Sequence, residues 1–356
     1  MSDLFSRFLL ALTLTTVNVM PAPAAELPCI SKTPQSISSD IPPLSSVKSN
    51  SAIIDPSAPA HKHVRVLLVL GGGGTRGAAH VGVLRVLKEE GIPIDAIVGT
   101  SMGAIVGGLY SAGVSIESLE KKFDDAKLMK SFMTIPLAVR IALAPVLVIP
   151  HLFGDRPYDG LYKGTRFRNY LEASVPECER TIQDLNIPFR AVTLSIVDGK
   201  PYALSQGNLG YALQASSAVP GLRKPVQIGN NLFVDGGLVA NVPVNLARQE
   251  FDADVVIAVN VDERFAPVPL DTFRKIGSVG TRMLKLQLAS TDDVQLKNAD
   301  IIIHPEVDGI GLVSINTKQA KKAIQAGETA TRLAIPAIKE KLVQIGIAAA
   351  AKLSKE

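Results

Sequence analysis

Three short segments of this 356-residue chain set reactive residue types among glycines. Gly99-Thr100-Ser101-Met102-Gly103 has the form G-x-S-x-G, which puts a serine on a tight strand-to-helix turn with its hydroxyl exposed. The flanking glycines carry no side chain that would clash with strand or helix across that turn. A serine hydroxyl is a weak nucleophile until a neighbouring base accepts its proton. Asp235-Gly236-Gly237, directly after Leu232-Phe233-Val234, offers such a base, because an aspartate at a strand end beside two glycines projects into a cleft without filling it. The third segment, Gly71-Gly72-Gly73-Gly74-Thr75-Arg76-Gly77, lies between a strand and a helix. Its backbone N–H groups can converge on one point, and the helix N-terminus adds partial positive charge, so the loop suits an anion. That anion is either a phosphate held at rest or an oxyanion that exists only during reaction.

Each segment also has a plainer reading. Ser101 could simply cap the helix that follows it. Asp235 could be a turn-forming residue, the commoner role of Asp-Gly. Gly72, Gly74 and Gly77 satisfy G-x-G-x-x-G, so a dinucleotide-binding protein is the alternative from another class, and an inactive lipid-binding module is a third. The dinucleotide reading is weakened by the second strand, which ends in the serine turn where a ribose-binding acid belongs. Ala78 stands where a P-loop would need its lysine. Among the histidines, His80 follows the glycine loop and His304 ends a strand; the first reads as a packed residue, the second as a base only in a different serine-hydrolase arrangement.

The elements that must hold these loops are legible in the hydrophobic pattern. Val64–Leu70 is a nearly unbroken apolar, β-branched run, as in a strand buried on both faces. Ala79, Val83, Val86 and Leu87 recur at helical spacing, with Gly91 and Pro93 ending the helix. The pattern predicts further strands at Ile94–Val98, Phe189–Val197, Asp254–Val261 and Ile301–His304, a small-residue helix at Met102–Ala112, and a hairpin turn at Asp198-Gly199. Strands alternating with helices make an α/β sandwich around a mainly parallel sheet.

Composition narrows the function. Hydrophobic residues make up 47% and charged residues 20% of the chain, enough for a sizeable core. With 37 basic residues against 33 acidic ones, evenly spread, a nucleic-acid partner is not expected. Two cysteines, Cys29 and Cys178, and five scattered histidines point to no metal centre. Arg7, the apolar run Phe8–Met20 and the small residues Ala22 and Ala24 read as a signal peptide over residues 1–24, so export is expected. Pro28 disfavours a lipid anchor at Cys29; if exported, Cys29 and Cys178 could pair. Residues 25–62, rich in Ser and Pro, read as a tether. Residues 63–250 then form the core, and 251–356 complete the same domain, ending in one or two amphipathic helices from Gln319 onward. Leu137–Phe153 is strongly apolar and reads as either a core segment or a membrane-contacting flap.

In this order, Gly72-Gly73-Gly74-Thr75-Arg76-Gly77, Gly99-Thr100-Ser101-Met102-Gly103 and Asp235-Gly236-Gly237 resemble the patatin-like phospholipase family, and most of all its bacterial, neuropathy-target-esterase-like branch. Ala215-Ser216-Ser217-Ala218-Val219-Pro220 is similar to that family's fourth segment, and the resemblance runs from about Val64 to Arg248. It departs at Arg223-Lys224, where relatives carry apolar residues beside the acyl pocket. The resemblance implies a three-layer α/β/α sandwich and a cofactor-free hydrolase of acyl esters. It also implies Ser101 as nucleophile, Asp235 as base, the amides of Gly72, Gly73 and Gly74 as oxyanion donors, and Arg76 as a residue that fixes their loop. Lipid or acyl-ester substrates and a membrane surface are the partners it implies; the oligomeric state stays open.

Overall fold

The computed structural model describes residues 62–133, 158–176, 180–264, 266–274 and 278–346. The expected signal peptide, the expected tether up to His61, Cys29, Cys178 and Leu137–Phe153 lie outside the described residues.

β1 (Lys62–Leu70) is the centre of the fold. It pairs in parallel with β2 (Ala96–Thr100) on one edge and with β7 (Phe251–Val259) on the other. Alternate residues of β1 enter different cores: Val66, Leu68 and Leu70 join one apolar cluster, Leu67 and Val69 the other. Side chains of a strand alternate between faces, so this split explains why Val66–Leu70 has no polar position: helices cover both sides of the sheet. β3 (Phe189–Ser195) extends the parallel set beyond β2, and β8 (Ile301–Ile303) extends it beyond β7. The expected α/β sandwich with a mainly parallel sheet is the fold observed.

Three further strands, β4 (Pro201–Leu204), β5 (Val226–Ile228) and β6 (Asn231–Asp235), are antiparallel to their neighbours. β4 and β5 escape the hydrophobic pattern because they are short and only partly buried. The hairpin between β3 and β4 turns at Gly199, with φ 73°, where Lys200 N–H donates to Asp198 Oδ1 at 3.2 Å. β2 begins at Ala96, two residues later than its apolar pattern, because the Asp95 side chain takes the Val66 N–H at 2.7 Å. The C-terminal amphipathic stretch is one helix, Thr317–Gln344, with Pro336 inside it.

The register at β3 positions the chemistry. Val192 pairs with Thr100, the last residue of β2, and the next residue, Thr193, pairs with Asp235, the last residue of β6. β4 pairs with Ala191–Leu194 and so overlaps both partners. β2 and β6 therefore share the other edge of β3 end to end, and Ser101 and Asp235 follow from their meeting ends.

Candidate active site

Ser101 has φ 53° and ψ −117°, outside the regions open to an ordinary L-residue. Such a conformation costs on the order of 1–3 kcal/mol and persists only where its surroundings enforce it. They do so here from three directions. The Ser101 N–H donates to Ser216 Oγ at 2.9 Å, and that hydroxyl donates to the Val192 carbonyl at 2.7 Å. Thr100 Oγ1 donates to the Ala240 carbonyl at 2.9 Å, tying the turn to the segment after Asp235. Helix Met102–Ser111 lies so close to β1 that a Cβ on Gly103 would collide with the Leu70 carbonyl oxygen. Although Ser101 occupies the N-cap position, its side chain makes no capping bond, so the plain reading of this serine fails.

The Ser101 side chain instead lines the same cavity as the Asp235 carboxyl and lies close enough to favour its charged form. Asp235 is held by its own N–H, which donates to the Ala218 carbonyl at 3.0 Å, and by Oδ1, which accepts from the Gly237 N–H at 2.9 Å. That second bond is the turn bond anticipated for Asp-Gly, so the turn role and the nearness to Ser101 coexist. Burial pushes the Asp235 carboxyl up to about 6, against the pull of Ser101 and of the Gly237 bond.

The glycine loop lies beside Ser101: the Cβ that Gly72 lacks would stand 3.2 Å from the Ser101 Cβ. One expected oxyanion donor is lost. The Gly72 N–H donates to the Asn241 carbonyl at 3.1 Å, so it is committed to the fold and is not free to hold an oxyanion. The amides of Gly73 and Gly74 have no acceptor among the described residues. Gly74 has φ 55°, and a Cβ there would strike the Leu312 carbonyl, so the loop can follow this path only with glycine at that position. Arg76 is buried and fixes the loop as anticipated: Nε donates to the Ile310 carbonyl at 2.8 Å, and Nη2 lies 3.0 Å from a Glu263 carboxylate oxygen.

Asn241 is the residue the sequence reading missed. Besides its carbonyl bond to Gly72, its Nδ2 donates to Asp262 at 3.0 Å and to Asp292 at 3.1 Å. Burial, reinforced by the Asp262 charge, holds the Asp292 carboxyl well above the usual aspartate range. The only local signal is its place shortly after Asp235-Gly236-Gly237; its partners Asp262 and Asp292 are remote in sequence. Asn241→Ala leaves two carboxylates without their shared donor, which is expected to destabilise the fold by about 2 kcal/mol; urea unfolding at neutral pH measures it.

Ser101, Asp235, Gly73 and Gly74 line one cavity of about 200 Å³. The rest of its wall is mostly apolar, including Ile105, Phe132, Val219, Leu222, Leu288 and Leu312. Neither His80 nor His304 is in this wall. His80 is buried with Nε2 2.8 Å from the Gly71 carbonyl, and burial lowers its pKa to about 4. Arg223 also stays out of the wall: its guanidinium packs against the Phe132 and Phe167 rings, 4.5 Å from each centroid, where the two rings meet edge to face. The charge that departs from the family pattern thus rests against Phe132, and Leu222 lines the cavity.

Known proteins share parts of this sequence. An uncharacterized NTE family protein of Mycobacterium tuberculosis is 29% identical over 297 residues, 76% of this chain and 46% of the relative. The human patatin-like phospholipase domain-containing protein 6 is 32% identical over 199 residues, 55% of this chain and 13% of that protein. This chain thus spans under half the length of the curated relatives it matches. Among solved structures, VipD from Legionella pneumophila aligns with 79% of this chain and 67% of its own, at 16% identity and a TM-score of 0.40. The patatin-like phospholipase profile matches residues 68–248, from β1 through the glycine loop, the Ser101 turn and the Asp235 turn. That match covers half of the sequence, and the chain belongs to the patatin-like phospholipase family, in the branch that resembles NTE proteins.

Proposed function

We propose that this protein hydrolyses acyl esters of lipids with Ser101 as nucleophile, Asp235 as its base and the Gly73 and Gly74 amides as the oxyanion hole. One observation carries the reading: a buried carboxylate raised to about 6 shares one cavity with a serine held in a strained turn, close enough for the serine to favour its charged form. Exposed in water, an aspartate near its ordinary pKa of about 3.9 is a poor base. Raised by about two units, it is ionised at neutral pH and still basic enough to accept the Ser101 proton during attack. Ser101 Oγ bonds to the ester carbon, the carbonyl electrons move to oxygen, and the Gly73 and Gly74 N–H groups hold that oxyanion. Collapse expels the alcohol, which leaves with the proton from Asp235. Water then attacks the acyl-serine, giving its proton to Asp235, and collapse releases the acid as that proton returns to Ser101 Oγ.

With no imidazolium to share the charge, this scheme leans on the amides; one such donor is worth on the order of 3 kcal/mol. The apolar wall around Ile105, Phe132 and Leu222 supports an acyl chain as the bound group. Phospholipids, lysophospholipids and related esters all fit this class. The Arg7–Ala25 segment adds the proposal that the enzyme acts after export. Nothing at the site favours a dinucleotide: the first glycine of that spacing has its N–H tied to Asn241. A fluorophosphonate serine probe tests the reading. Labelling at Ser101, with hydrolysis of members of a lipid and short-ester panel, is the expected result; an unlabelled, folded protein without turnover would refute it.

A further inference from the structure

From His80 to Asp292, three hydrogen bonds run head to tail through two peptide groups. His80, wholly buried on the helix Ala79–Glu89, has Nε2 2.8 Å from the Gly71 carbonyl. A carbonyl only accepts, so Nε2 carries the proton and donates it. The ring's Nδ1 has no hydrogen-bond partner among the described residues, which leaves the Gly71 bond as the one polar contact of this buried side chain. At the other end of the same peptide, the Gly72 N–H donates to the Asn241 carbonyl at 3.1 Å. The Asn241–Val242 peptide then donates its N–H to Asp292 Oδ1 at 2.9 Å. All three donors point the same way, so each bond polarises the next, and the chain is strongest when it ends on a negative charge. Asp292 supplies that end from far along the sequence. It lies on the helix Ser278–Leu296, one turn after Leu288 of the cavity wall, and is only 2% exposed.

The carboxylate is costly where it stands. Asn241 Nδ2 reaches both Asp292 and Asp262, and burial, reinforced by the Asp262 charge, raises the Asp292 carboxyl to about 7. The nearby guanidinium of Arg76 goes elsewhere, with Nη1 3.8 Å from Asp262 and Nη2 3.0 Å from Glu263. An ionised Asp292 therefore weakens the fold while it strengthens the chain, which points to a task in the chain. The Gly71–Gly72 peptide is the last one anchored before the Gly73 and Gly74 amides, which have no acceptor among the described residues. We infer that His80 and Asp292 are positioning residues: from the two ends of the chain they fix the Gly71–Gly72 peptide and so aim the Gly73 and Gly74 amides at the oxyanion. The purpose of the chain rests on the proposed ester hydrolysis; the chain itself is measured without turnover.

The test compares the full-length parent with Asp292→Asn and His80→Leu at pH 8, above the Asp292 titration. Isotope labelling of glycine nitrogen lets NMR read the loop directly. An amide proton whose acceptor is less polarised moves upfield, so Gly72 is expected to shift in Asp292→Asn, with Gly73 and Gly74 responding, while Gly199 of the β3–β4 hairpin stays in place. On a soluble short-chain ester, kcat should fall about tenfold in both variants with KM within about twofold, because oxyanion donors act on the transition state more than on bound ester. His80→Gln, whose side-chain N–H can reach the Gly71 carbonyl, should recover most of that loss. Asp292→Asn keeps an oxygen for the Val242 N–H and removes a buried charge beside Asp262, so it should be no less stable than the parent at pH 8. A merely structural aspartate would lose activity and stability together. If His80→Leu does not fold, Asp292→Asn decides alone. Unmoved loop resonances in Asp292→Asn, an unchanged kcat, or a kcat that falls only as the melting temperature falls would each overturn the inference. A parent without ester turnover whose loop resonances still respond to Asp292→Asn would instead overturn the catalytic reading and leave the chain standing.

Discussion

Ser101→Ala is expected to lower ester turnover by about 10⁴-fold or more, Asp235→Asn to come close to it, and the double variant to be no worse than Ser101→Ala alone. This non-additivity follows from the proposed proton transfer between the two groups. If Asp235 acts only by taking the Ser101 proton, removing it after the serine has gone removes nothing further. An additive double variant would mean that Asp235 acts elsewhere, and near-normal turnover in either single variant would end the dyad proposal. Ser101→Gly supplies the folding control. It should be equally inactive yet more stable by about 1 kcal/mol, because glycine occupies φ 53° without strain. His304→Gln should retain turnover, since His304 lies outside the cavity wall. Rates on a soluble ester, compared at matched melting temperatures, decide all of these.

How much of this was legible in the sequence depends on the range over which each feature is encoded. β1 was readable because one strand buried on both faces needs an unbroken apolar run. The Ser101 turn was readable because its two glycines and its serine lie within five residues. The juxtaposition of Ser101 with Asp235 is different in kind: it depends on Val192 and Thr193 pairing with the ends of two strands. No local pattern encodes that register, and only the likeness to a family joined the two segments beforehand. Gly72 shows the converse limit. Its residue type suits an oxyanion donor as well as Gly73 does, but the Asn241 carbonyl, far away in sequence, takes its N–H. Ser216 was visible as part of a motif, yet its task of holding the Ser101 N–H appears only when the helix Leu209–Ser216 is set beside the turn. Arg223, read from sequence as a charge near the acyl pocket, packs against two phenyl rings and does not line the cavity.

The position of the base also makes a stability test available. Asp235 titrates near 3.8 in an unfolded chain and about 6 in the fold, so the folded state favours its protonated form. A carboxyl raised in this way lends its full stability below about pH 4 and loses it as pH rises through about 6. The shift of about two units corresponds to roughly 3 kcal/mol, the destabilisation carried by the ionised carboxylate at pH 8. An asparagine in its place is close in shape to the protonated acid, and the amide oxygen can still accept the Gly237 N–H. Asp235→Asn should therefore match the parent in stability near pH 4 and exceed it by about 3 kcal/mol at pH 8, with the change falling between those values. Turnover in the parent should run the other way, dropping about tenfold for each pH unit below 6 as the base becomes protonated. The same carboxylate thus weakens the fold over the pH range in which the proposed reaction proceeds. Chemical denaturation of both proteins across pH 4–8 measures the first curve, and initial rates on a soluble ester the second. A stability difference that does not vary with pH, or a rate that stays level down to pH 4, would show that Asp235 carries no raised pKa and has no part as the base.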